Sequence, residues 1–151
     1  MVAYSWEQLK ENVVFGKTHL SFTREQSMQE KYHSARAGVS IQGFKKYSDY
    51  IKIKHLQYNT MVCQDNKLSS RKTKNSLCTL LIENEYPYEF APEDNIKHYM
   101  IWALTPLSSQ EIRSIMINSI YSYIEYVWFE NDDANKSIKD LWHCHIMFKV
   151  K

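Results

Sequence analysis

At 151 residues the chain is long enough to bury a sizeable core and reads as one domain. Its 14% aromatic content, against three glycines and three prolines, excludes a disordered or low-complexity protein. The net charge of +2 hides an asymmetry: residues 1–76 hold 13 of the 19 Lys and Arg but six of the 17 Asp and Glu, so the second half is acidic. Much of the basic excess lies in Lys45, Lys46, Lys52 and Lys54 and in Lys67, Arg71, Lys72 and Lys74. It is read first as a solvated face, with nucleic acid or a phosphorylated ligand as the alternative partner. Cys63, Cys78 and Cys144 are odd in number and lack CxxC spacing, against a disulfide framework or a zinc knuckle. The N-terminus does not resemble a signal peptide, and no apolar run approaches the roughly 20 residues that span a bilayer. A cytoplasmic or nuclear protein with no membrane contact is expected; oligomeric state is left open.

Three capping boxes mark helix starts. Ser5-Trp6-Glu7-Gln8 predicts a short helix to Phe15, stopped by Gly16. Thr23-Arg24-Glu25-Gln26 predicts a second, with Met28, Tyr32 and Ala35 on one face and Gly38 as the residue that ends it. Tyr47 to Tyr58 is read as a third helix, and the polar, basic, aperiodic stretch from Gln64 to Ser76 as a surface loop. The strongest box, Ser108-Ser109-Gln110-Glu111, leads into Ile112, Met116, Ile120 and Tyr123 at helical spacing, widened by Ile115 and Ile124. Strands are predicted at Lys97–Ala103, Tyr126–Glu130 and Leu141–Val150, with a polar turn from Asn131 to Asn135. The chain thus divides into a helical part (1–63), a basic loop (64–76) and a strand–helix–strand–strand part (77–151). The expected fold class is α+β, with N-terminal helices packed on a small, mostly antiparallel sheet.

The most informative segment is Leu141-Trp142-His143-Cys144-His145-Ile146-Met147-Phe148. Strand side chains alternate between faces, so His143 and His145 share one face with Met147. Buried imidazoles need partners. A metal chelate, a nucleophile beside a second histidine, and a satisfied core pair all fit. His98, on the same face of its strand as Met100 and Trp102, is the third imidazole a metal would need. Asn84-Glu85-Tyr86-Pro87-Tyr88 forms an elbow, because Pro87 fixes its own φ and biases Tyr86 toward extended geometry. Tyr86 and Tyr88 on such an elbow suit stacking on a base or sugar, or pinning the turn to the core. Trp102, Trp128 and Trp142 are read as core or pocket wall. A single His19-Leu20-Ser21 lacks the second copy that a two-histidine phosphoesterase needs, and Asp132-Asp133 reads as a solvated turn.

Taken in order, Asn84-Glu85-Tyr86-Pro87-Tyr88, Ile96-Lys97-His98-Tyr99-Met100-Ile101-Trp102, Trp128-Phe129-Glu130-Asn131, Lys136-Ser137-Ile138 and His143-Cys144-His145 resemble the pattern of the N-acetylglucosamine-induced protein 1 family. Ser5-Trp6-Glu7 and the Tyr32 region fit as well, so the resemblance covers most of the chain. The family name records an inducing sugar and implies no established reaction. A second resemblance reaches chemistry. Strand, helix, strand ending in Asn, polar turn with Ser and a terminal His-x-His strand is similar to the histidine-triad nucleotide hydrolases and transferases. That resemblance implies His145 as the nucleophile on phosphorus and His143 as the first histidine, with Asn131 and Ser137 as the ligand-holding pair. Met147 stands where that superfamily has its third histidine, the Ser-to-His gap is longer, and the glycine-rich turn is missing.

Three functions are therefore expected as alternatives. The first is a phosphoryl or nucleotidyl hydrolase or transferase, with catalytic His145 and His143 and with Asn131, Ser137, His98, Tyr86, Tyr88 and Trp102 binding a nucleotide or small phosphorylated ligand without a cofactor. The second is a non-catalytic module that binds a ligand or a protein, which methionine at position 147 favours. The third is an enzyme using a divalent metal at His98, His143 and His145.

Overall fold

The computed structural model describes residues 3–119, 121–131 and 141–150; Ile120 and Ser137, both named in the sequence reading, lie outside them. The expected α+β class holds. In chain order the elements are α1 (Trp6–Asn12), β1 (Val13–Val14), β2 (Lys17–Thr18), α2 (Gln26–Ile41), α3 (Tyr47–His55), β3 (Asn59–Val62), β4 (Leu68–Arg71), β5 (Thr79–Glu83), a 3₁₀ turn (Pro92–Asp94), β6 (Ile96–Ala103), α4 (Ser109–Ile117), β7 (Glu125–Phe129) and β8 (Trp142–Lys149).

The capping boxes at Ser5 and Ser108 form as read, each with the serine side chain and the residue three on satisfying one another's backbone amides. The helix after Ser5 stops at Asn12, short of Phe15, because two β-branched valines turn into a tight hairpin. Its central residues Phe15 and Gly16 both have positive φ, the geometry that matches strand twist in a two-residue turn.

The box at Thr23 does not form. The Thr23 carbonyl accepts from the Glu89 amide (2.8 Å) and Arg24 Nε donates to the Tyr86 carbonyl (2.7 Å), so both residues are held against the elbow. Helix α2 begins at Gln26 instead, and Thr23 Oγ1 is buried with no partner among the described residues. It also runs through Gly38 to Ile41, because Val39 is buried; Gly43, at φ +94, makes the turn after it.

Residues 64–76 are not simply a loop. Residues 68–71 pair with 59–62 as a hairpin around Asp65 and Asn66. Its strand is recruited by a tertiary contact and not by alternation: the buried Asp49 carboxylate on α3 accepts from the Ser70 hydroxyl (2.6 Å) and amide (3.3 Å).

The main sheet has order β5-β6-β8-β7, antiparallel throughout. The predicted strands at 97–103, 126–130 and 141–150 correspond to β6, β7 and β8; β5 has no counterpart in the sequence reading. One face packs Tyr99, Ile101, Cys144, Ile146 and Phe148 under Ile112 and Met116 of α4. That helix ends before Tyr123 and Ile124, and Tyr123 instead packs on Phe148 at 5.6 Å between rings. The other face lies beneath α1 and α3, with Met147 and Phe129 against Trp6 and Leu9, and Trp102 near Ile51 and Leu56. The imidazoles are on this second face.

Candidate functional site

The β6–β8 register pairs His98 with Met147, Met100 with His145 and Trp102 with His143, which brings the three histidines onto one face. The elbow then closes over them. Asn84 accepts from the Tyr86 amide through Oδ1 (2.8 Å), and the Tyr88 amide donates to His98 Nδ1 (3.1 Å). The Tyr88 ring covers both imidazoles, with centroids 4.7 Å from His98 and 5.3 Å from His145. His98 Nε2 and His145 Nδ1 are 2.8 Å apart and buried.

These contacts set the tautomers. A backbone N–H can only donate, so His98 Nδ1 carries the lone pair and, in the neutral ring, Nε2 carries the hydrogen. That hydrogen goes to His145 Nδ1, the shorter of the two contacts at Nε2; the Asn84 amide group is 3.3 Å away and is itself a donor. His145 therefore holds its own hydrogen on Nε2, and the Asn131 side-chain amide 3.4 Å away meets it as an acceptor only with its oxygen turned to the ring in place of Nδ2. Both rings are neutral. Burial, helped by the Arg24 charge, takes His98 from 6.5 to about 3. Burial, then His98, His143 and Arg24, holds His145 well below its ordinary value.

Arg24 supplies the charge. Its guanidinium lies over the Tyr32 ring at 4.3 Å and the Tyr88 ring at 4.9 Å, fixed by Nε to the Tyr86 carbonyl and by Nη1 to Gln29 (3.3 Å). Among the described residues no carboxylate lies within 4 Å of it, and Nη2 has no hydrogen-bond partner. Arg24, Tyr32, Tyr88, Asn131, His143 and His145 surround a cavity of about 150 Å³.

Of the residues singled out in the sequence, His143, His145, Asn131, Tyr88 and Trp102 line this cavity. His98 stands behind His145 as its support. Tyr86 turns to an adjoining hollow, edge-on to Tyr32 at 5.5 Å. The three-imidazole metal alternative does not fit. His98 Nε2 and His145 Nδ1 are engaged with each other, and no group of three or more His, Cys, Asp or Glu among the described residues is placed to hold a metal ion. Lys67, Arg71, Lys72 and Lys74 lie on or beside the hairpin, away from the cavity. Lys45 is paired with Asp65 (3.4 Å) and Lys54 with Glu85 (2.7 Å), so part of the basic excess is neutralised locally. No helix among the described residues is long and apolar enough to cross a membrane. Sequence reasoning missed Arg24, legible only as part of a capping box that does not form, and the hub role of Asn84, visible only as the first residue of the elbow.

An antiparallel sheet that holds a neutral imidazole pair behind an arginine-bearing cavity defines an α+β protein with an interior polar site. The chain belongs to the family described as "Protein of unknown function (DUF3605)", whose pattern matches residues 5–149. It is similar to a solved structure described as "Crystal Structure of HTC1", with a TM-score of 0.61 over 99% of this chain and 86% of that one, at 18% identity. At that identity the likeness is one of fold. No curated protein matches the chain.

Proposed function

We propose that the chain is a binding protein for a small anionic ligand, such as a phosphate monoester, which it receives between Arg24 and His145. One observation carries the reading: the Tyr88 amide, through His98, leaves a hydrogen on His145 Nε2 in the cavity that the Arg24 guanidinium also lines, and among the described residues no carboxylate pairs with that guanidinium. Two donors of fixed direction in a partly enclosed cavity recognise an anion more strongly than they would on an open surface. The Asn131 amide and the tyrosine hydroxyls add polar contacts without negative charge.

The same chain of hydrogen bonds weighs against attack by His145 on phosphorus. Attack needs a lone pair on Nε2 and therefore a hydrogen on Nδ1; His98 would then have to turn a second N–H toward the Tyr88 amide. Phosphoryl transfer remains the second reading because His143 and Asn131 open on the same cavity.

Titration of inorganic phosphate and simple phosphate monoesters into wild type, Arg24→Gln and His145→Ala tests both. Binding weakened roughly tenfold or more in Arg24→Gln, with no turnover of phosphoesters or phosphoramidates, is expected; a charge-assisted hydrogen bond is worth about 1.5–3 kcal/mol. Turnover by wild type that His145→Ala abolishes would replace the binding reading with the catalytic one.

A further inference from the structure

A second hollow of about 60 Å³ adjoins the cavity beside Arg24 and His145, and Tyr47, Asn84, Met100 and Trp102 line both. The two differ in character. The first presents the guanidinium, the His145 N–H and the Asn131 amide. The second is walled largely by apolar and aromatic groups, among them Ala35, Tyr50, Ile51 and Ile82. Tyr47 and Tyr50 meet at 5.8 Å between ring centroids, and His55 stacks on Trp102 at 6.3 Å with 17° between planes. At its rim Lys54 pairs with Glu85 and sits 5.7 Å from the Tyr50 ring.

We infer that the two adjoining hollows together take a single aromatic ring bearing one acidic group, an aryl phosphate or aryl carboxylate in chemistry. The anion lies at Arg24 and His145, and the ring lies against Tyr47, Tyr50 and Trp102. This rests on the anion reading above and adds the tail. Rings on several sides favour a flat π-faced occupant, which can meet them edge-on or offset. A ring and an acidic group have walls of matching character along the shared residues Tyr47, Asn84, Met100 and Trp102.

The test titrates phenyl phosphate, phenylacetate and inorganic phosphate into wild type, Arg24→Gln, Ala35→Phe and Tyr50→Leu, following backbone amide shifts by NMR, which also report the fold. Wild type is expected to bind phenyl phosphate or phenylacetate at least tenfold more tightly than inorganic phosphate, and the better of the two identifies the acidic group. Ala35→Phe fills the second hollow and Tyr50→Leu removes a wall. Each should lower aryl-ligand affinity at least fivefold and leave inorganic phosphate within twofold, and Tyr50→Leu carries the comparison if Ala35→Phe does not fold. Arg24→Gln should weaken every ligand. Equal affinity of wild type for aryl ligands and inorganic phosphate, or loss of both alike in the hollow-filling variants while Arg24→Gln still weakens them, overturns the aryl tail and leaves the anion site standing. No binding of any of the three to wild type overturns both.

Discussion

His98 Nε2 donates to His145 Nδ1 across 2.8 Å, and the direction of that bond is fixed from outside the pair by the Tyr88 amide at His98 Nδ1. Two residues 47 positions apart thus share one hydrogen-bond polarity, imposed by a backbone group on the elbow. The polarity decides what His145 offers to the cavity.

Ring nitrogen shifts from ¹⁵N-labelled histidine give the direct check. At neutral pH both His98 and His145 are expected as neutral Nε2–H tautomers. A hydrogen on His145 Nδ1 would remove the donor that the ligand reading depends on.

The same burial makes stability depend on pH. His98 titrates at about 3 in the folded chain against 6.5 ordinarily, and His145 is depressed in the same direction. Between those values the unfolded chain binds more protons, so the stabilisation is complete above 6.5 and drains away as pH falls toward 3. From pH 7 to pH 5 His98 removes roughly 2 kcal/mol, each pH unit being worth about 1.4 kcal/mol, and His145 acts in the same direction. Denaturant midpoints at the two pH values measure it, and His98→Gln should reduce the difference by about half. Equal midpoints for wild type would show that the imidazoles are not buried neutral.

Gly16→Ala tests how the N-terminal hairpin meets the sheet. Its φ is +74, and a Cβ there would fall 2.3 Å from the Trp128 ring, with the hairpin held to β7 by the Glu130 amide on the Gly16 carbonyl (3.0 Å). A loss of about 1–3 kcal/mol is expected from overpacking and backbone strain. A thermal midpoint unchanged from wild type would mean that the hairpin swings free of Trp128.

Asp49→Ala tests the hairpin of β3 and β4. With the carboxylate gone, the Ser70 hydroxyl and amide lose the acceptor that ties the strand to α3. Loss of the bonds these half-buried donors make to a charged group costs about 1.5–3 kcal/mol in all, and amides of residues 59–71 should exchange faster than those of the main sheet. Uniform exchange across both sheets would contradict this.

Legibility followed the range of the force involved. Alternation placed His143 with His145 along Leu141–Val150 and His98 with Trp102 along Lys97–Ala103, because strand parity is local; that the two sets share a face follows from the β6–β8 register, which no local pattern gives. The serine capping boxes at Ser5 and Ser108 are local too, and both form. The box at Thr23 has the same composition, yet long-range bonds from Glu89 and to Tyr86 hold Thr23 and Arg24 in place, and no local rule weighs those. The strand at Leu68–Arg71 shows the converse: polar residues with no alternation become a strand because a buried aspartate recruits them. Arg24 was invisible as a ligand group for the same reason, since its partners Tyr86 and Tyr88 lie more than sixty positions away.

Strand β8 lies between β6 and β7, and so makes two of the three pairings in the main sheet. It follows them both in the chain, and β7 has no partner in that sheet without it. During folding, β5 and β6 can meet early, but the rest of the sheet waits for one late strand to insert between two earlier ones. Such distant pairings are slow, because the entropy of loop closure is lost before the contacts are gained. Both cavity histidines ride on that strand. The face that carries the cavity is therefore complete only once β8 has paired with β6, which brings His143 and His145 to the same side as His98.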